Sequence, residues 1–113
     1  MSKRPKLLLI ADDWEANERY EERLAPHFEL LSALFGSDGV RMAAEEQPDL
    51  ILLDLTMEDM TPEEGCAALD ANATSRIIPR VVISDGDCRA TKRLSRPYQF
   101  EELINTLKTI SGI

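Results

Sequence analysis

A chain of 113 residues has room for one ordinary domain and a single core, and none for a second. Acidic residues outnumber basic ones 21 to 13, a net charge of −8, which argues against nonspecific nucleic-acid binding through phosphate contacts. At 5 % aromatic content the chain also lacks the stacking platforms of a single-strand binder, and no apolar stretch is long enough to span a membrane. The basic N-terminus runs into Leu7–Ala11, a run too short for the apolar segment of a signal peptide. Cys66 and Cys88 have neither metal-ligand nor redox-pair spacing, so they read as reduced thiols of a cytoplasmic protein, the first buried and the second exposed.

The first element is a buried strand, Leu7–Ala11, ending in Asp12 and Asp13. Asp13 is placed to cap a helix over Trp14–Leu24, with Ala16, Tyr20 and Leu24 on its inner face. Trp14 reads as a packing residue and His27, just past Pro26, as an exposed one. A second strand is expected over Phe28–Leu34, then a glycine turn at 36–39 leading into a short helix, Val40–Glu46. Pro48 precedes Leu50–Leu53, four apolar residues without alternation, the signature of a strand buried on both faces. Asp54 stands at its C-terminal tip. Thr61, Pro62 and Glu64 form a capping-box signature for a helix to Ala71. Arg80–Ser84 is the fourth strand, Thr91–Ser95 the candidate fifth, and Phe100–Ile110 the last helix, with Gly112 just beyond it.

Strands alternating with helices under the right-handed crossover rule give a doubly wound, mainly parallel α/β sheet of five strands. In the flavodoxin-like order 2-1-3-4-5 the first and third strands are neighbours at the switch point, which brings Asp12, Asp13 and Asp54 to one edge. Carboxylates gathered there repel one another and favour a hard divalent cation, Mg²⁺ before Zn²⁺, since no His or Cys accompanies them. The alternative is that Asp12 and Asp13 are simply a loop residue and a helix cap.

Four stretches in order carry a family resemblance: Leu8–Asp13, Pro48–Met57, Val81–Ser84 and Arg96–Leu103. Over nearly its whole length, residues 1–113, the chain resembles a single receiver domain of two-component response regulators. The resemblance implies Asp54 as phosphoacceptor, with Asp12, Asp13 and the backbone carbonyl of Thr56 placing Mg²⁺ with it. Ser84 would be the switch hydroxyl and Arg96 the cation before a cis-proline. It further implies a signalling module and not an enzyme, with a sensor kinase or another signalling protein as partner. A conventional Mg²⁺-dependent phosphoacceptor switch and a small Mg²⁺-dependent phosphatase-like enzyme are the competing readings.

The chain departs from the family at several positions. Arg96 replaces lysine, a planar fork in place of a compact ammonium, and it can bind Asp54 directly in the metal's stead. Asp85 follows the switch hydroxyl and opposes an incoming phosphoryl anion. Arg93 occupies the position of the switch aromatic. Phosphorylation is therefore expected to be slow or absent, Mg²⁺ binding weak, and the domain an atypical receiver working through protein–protein contacts. Asp85–Ser95 must also hold both the fourth crossover and the fifth strand, although a crossover with its helix takes about 10–12 residues. The fourth crossover helix should be reduced or missing, and the apolar area it would have covered becomes a candidate homodimer or docking surface around Asp85–Ser95.

Overall fold

In the computed structural model, residues 4–56, 59–84 and 90–112 are described. Five parallel strands form one sheet in the order β2-β1-β3-β4-β5, the expected doubly wound arrangement. The strands are β1 (Lys6–Ala11), β2 (Glu29–Ala33), β3 (Leu50–Asp54), β4 (Arg80–Ile83) and β5 (Lys92–Leu94). Helices α1 (Trp14–Leu24), α2 (Gly36–Glu46), α3 (Pro62–Ala71), α4 (Ala73–Arg76) and α5 (Phe100–Ser111) connect and cover them. None of the described helices is long and apolar enough to cross a membrane.

Successive residues of a strand face opposite sides, and here both sides are covered. Leu7 and Leu9, Leu50 and Leu52, and Val81 and Ile83 pack against Tyr20 and Leu24 of α1 and Leu103 and Leu107 of α5. Leu8 and Ile10, Ile51 and Leu53, and Val82 pack against Ala43 of α2 and Cys66 and Leu69 of α3. That double burial is why β1 and β3 are uninterrupted apolar runs. Cys66 is buried, as expected; Cys88 lies outside the described residues.

Several boundaries differ from the sequence reading for identifiable reasons. Gly36 and Gly39 belong to α2 itself. A Cβ on Gly39 would sit 2.6 Å from three Ile10 side-chain atoms, so this glycine permits close helix–sheet packing and does not mark a turn. The four-residue α4 was not expected; Asn72 caps it, its side chain accepting from the Thr74 N–H at 2.8 Å. Trp14 is 66 % exposed, whereas His27 is half-buried with its ring edge-on to Phe28.

The β4–β5 crossover carries no helix among its described residues, Ser84, Ala90 and Thr91; Asp85–Arg89 lie outside them. Even so, β4 and β5 pair in parallel from Val81↔Lys92 to Ile83↔Leu94. The apolar area expected to lie open there is not open. Val81, Val82 and Ile83 are no more than 1 % exposed, and Leu94 is 6 % exposed. In the described part of this crossover, the apolar side chains of β4 and β5 are covered.

Helix α2 takes its N-terminal cap from elsewhere in the chain. Phe35 supplies no side-chain cap, and the Asp59 carboxylate, from the loop after β3, accepts from the Gly36 N–H at 2.9 Å and the Ser37 N–H at 3.0 Å. The Ser37 N–H bond, with that of Gly36, outweighs desolvation and holds the Asp59 carboxyl below the usual carboxylate range. A depressed folded-state pKa adds stability that is present above the unfolded value, about 3.9, and is lost as pH falls through the folded one. Asp38, in the first turn of α2, is another acidic group near this end. Asp59→Ala should destabilise by about 0.5–1 kcal/mol at neutral pH, the lower part of the range for a cap because the carboxylate is exposed. The variant's stability, followed by urea denaturation, should also fall less steeply below about pH 4 than that of the wild type.

Candidate functional site

The C-terminal tip of β3 is the centre of the site. Register with β1 sets Asp54 opposite Ala11, and Asp54 is 2 % exposed, which requires partners for its charge. Both carboxylate oxygens have them. The Arg96 guanidinium binds Oδ1 through Nη2, and the Tyr20 hydroxyl donates to Oδ2 at 2.6 Å. Tyr20 also shares a short hydroxyl contact with Tyr98. Since the Tyr20 proton goes to Asp54, Tyr98 is the donor in that contact.

Three elements deliver these groups. Tyr20 lies on the inner face of α1, fixed at its N-terminus by Asp13, whose carboxylate accepts from the Ala16 N–H at 3.1 Å. Asn17 ties the same turn to the ends of β1 and β2 by donating to the Ala11 and Ala33 carbonyls at 3.1 and 3.3 Å. Arg96 and Tyr98 flank Pro97 just ahead of α5, and the Arg96–Pro97 bond is cis, as expected for a cation-proline pair in this position. Phe100 closes the cluster, edge-on to Tyr20 and Tyr98 with ring centroids 5.8 and 6.1 Å away.

The electrostatics follow from burial around one charge. Burial, and then the Asp54 charge, push the Tyr20 hydroxyl far above the ordinary tyrosine range, so it remains a donor. Tyr98 is raised as well, by burial first. Burial alone would lower Arg96, but its bond to Asp54 and the carboxylate charge outweigh this and raise it, keeping the guanidinium cationic.

The other sequence-expected residues are brought to the same edge but not into one site. Asp12 accepts from both the Thr56 N–H, at 2.8 Å, and the Thr56 hydroxyl, at 2.7 Å, tying the β1 tip to the loop after β3. Asp13 is a helix cap. The Ser84 N–H donates to the Leu94 carbonyl at 3.0 Å, which sets the end of β4 beside β5. Among the described residues no group of three His, Cys, Asp or Glu side chains is placed to hold a metal ion. Asp13 caps the helix through Oδ2, both oxygens of Asp54 are bound to protein, and Arg96 provides the positive charge at Asp54. Tyr20 and Tyr98 are the members of the site that the sequence reading did not assign.

A doubly wound sheet in 2-1-3-4-5 order, with an acid at the β3 tip and a cation before a cis-proline reaching back to it, is the arrangement expected of a receiver domain of two-component response regulators. Relatives of known role agree, although no family model matches the chain. The response regulator PleD of Caulobacter vibrioides is 38 % identical over 87 residues, 75 % of this chain, and the match spans only 19 % of PleD's own length. Protein PilH of Pseudomonas aeruginosa is 28 % identical over 116 residues, covering 91 % of this chain and 95 % of PilH. The polar-differentiation response regulator DivK of Brucella anthropi is 26 % identical, covering 96 % of this chain and 98 % of its own. Among solved structures, the receiver domain of a sensor histidine kinase from Pseudomonas aeruginosa PAO1 superposes with a TM-score of 0.87 at 20 % identity, over 97 % of this chain and 99 % of that one. That protein was crystallised with a magnesium ion coordinated in its active-site cleft.

Proposed function

We propose that this chain is an atypical receiver domain, acting in signal transduction through protein–protein contacts with a sensor kinase or another signalling protein. Its acceptor-position carboxylate is held by the protein's own side chains. One observation carries the reading: Oδ1 of Asp54 is bound by Arg96 and Oδ2 by Tyr20, and the residue is buried. A carboxylate attacks a phosphorus centre through a free oxygen lone pair, and it needs positive charge to offset what develops on the phosphoryl group. Here the lone pairs are directed at a guanidinium and a phenol, and that positive charge is already neutralised by Asp54. An enzyme working on the same acids would need a general acid beside the nucleophile, and the neighbouring Tyr20 has its proton firmly held.

The test is intact-mass spectrometry after incubation with acetyl phosphate and Mg²⁺, paired with amide NMR during titration with Mg²⁺ and beryllofluoride. The wild type should gain no stoichiometric phosphoryl group and show no saturating shifts at Asp12, Asp13 and Asp54. Arg96→Ala should acquire such shifts, because it leaves a buried carboxylate in need of a cation. Rapid, stoichiometric phosphorylation of the wild type would instead establish the conventional switch.

A further inference from the structure

Beside Asp54 lies a cavity of about 340 Å³, lined by Ala16, Arg19, Tyr20, Asp54, Arg96, Pro97, Tyr98 and Phe100. Neither Asp12, Asp13, Thr56 nor Ser84 lines it. In a chain of net charge −8 this spot is unusual, because Arg19 and Arg96 converge on it and Arg23 lies 4.7 Å from the centre of the Phe100 ring. The one acid present, Asp54, is matched by Arg96. Arg19 makes no hydrogen bond or ion pair among the described residues, and Arg96 uses only Nη2. Two guanidinium forks therefore have N–H groups to offer, and a planar carboxylate is the group such a fork pairs with in bidentate fashion. The remaining wall is a proline ring and three aromatic rings, with the hydroxyls of Tyr20 and Tyr98 already turned inward to Asp54 and to each other. A volume near the lower end of small-molecule sites, roughly 300–1,000 Å³, suits a single ring with one acidic group.

We propose that the cavity between α1 and the start of α5 binds a small aromatic carboxylate, its carboxylate on Arg19 and Arg96 and its ring against Pro97, Tyr98 and Phe100. The site makes the domain a ligand sensor as well as a docking module, since an anion on Arg96 competes for the cation that holds Asp54. The inference stands on the cavity's own residues, and it holds whether or not Asp54 accepts a phosphoryl group.

Benzoate titrated into the full chain at constant ionic strength, followed by amide NMR, tests it. Saturable shifts are expected at Arg19, Tyr98 and Phe100. Arg19→Gln should weaken binding about tenfold, the effect of one lost charge-assisted hydrogen bond, and Arg41→Gln, a surface change on α2, should leave it unaltered. Acetate, with no ring, should bind more weakly than benzoate at the same residues. Shifts that rise linearly without saturating would overturn the proposal, as would benzoate binding that Arg19→Gln leaves unchanged. Inorganic phosphate binding there as tightly as benzoate would overturn the assignment of a ring-bearing ligand.

Discussion

Arg80→Ala is expected to lower the free energy of unfolding by about 1.5–3 kcal/mol, the range for hydrogen bonds to charged groups, since Arg80 is buried while Asp70 keeps some exposure. Arg80 begins β4 and is 4 % exposed, an arrangement few arginines tolerate. Its guanidinium is satisfied from α3, donating to the Cys66 carbonyl at 3.1 Å and to the Asp70 carboxylate at 2.8 Å. Truncation would remove the Arg80 donor from that carbonyl, leave Asp70 without its counter-charge, and open a void beside α3. The double variant Arg80→Met, Asp70→Leu should recover most of the loss, because an apolar pair of similar volume has no charge to desolvate. Midpoints of urea unfolding for the two variants separate the outcomes. A double variant no more stable than Arg80→Ala would mean that packing geometry, and not the unpaired charge, sets the effect.

The second large effect concerns Tyr20. Tyr20→Ala should destabilise by about 3–5 kcal/mol, in line with other buried aromatic truncations, since the ring is 2 % exposed in the core under α1. Tyr20→Phe keeps the ring and isolates the hydroxyl. It should lower stability by about 1.5–3 kcal/mol, the range for a hydrogen bond to a charged group, because Oδ2 of the buried Asp54 loses its donor. The comparison carries functional information, because a phenylalanine that proved neutral would show that Arg96 alone holds Asp54. Thermal unfolding of the three proteins side by side supplies the measurement.

The strands, the order of the sheet and the capped helices α1 and α3 were legible in the sequence because their signals are local. An uninterrupted apolar run, a threonine followed by proline and glutamate, and an acid before a helical pattern each sit within a few residues of what they determine. The Arg96–Asp54 contact was legible from the motif around Pro97. What could not be read was set by long-range packing. Tyr20 falls on the apolar face of α1 with Ala16 and Leu24, so periodicity assigns it to the core, and nothing local says that its hydroxyl meets a carboxylate 34 positions away. Gly39 looked like a turn because its true partner, Ile10, lies across the helix–sheet interface. Asp59 sat unnoticed in a polar loop, and its role as the cap of α2 depends on that loop folding back over the start of the helix. Trp14 failed in the opposite sense, since a large apolar side chain next to a helix start is presumed to pack and here is exposed.

The brevity of β5 has a consequence for behaviour in concentrated solution. The strand is three residues long and forms one margin of the sheet, and two of those residues, Lys92 and Arg93, are exposed. An outer strand offers unpaired backbone groups that can recruit a strand from another molecule, and proteins suppress this with short margins and positive side chains. By giving up length in β5 the chain also gives up a template for fibril growth. A short, positively charged margin thus helps to keep the domain from aggregating.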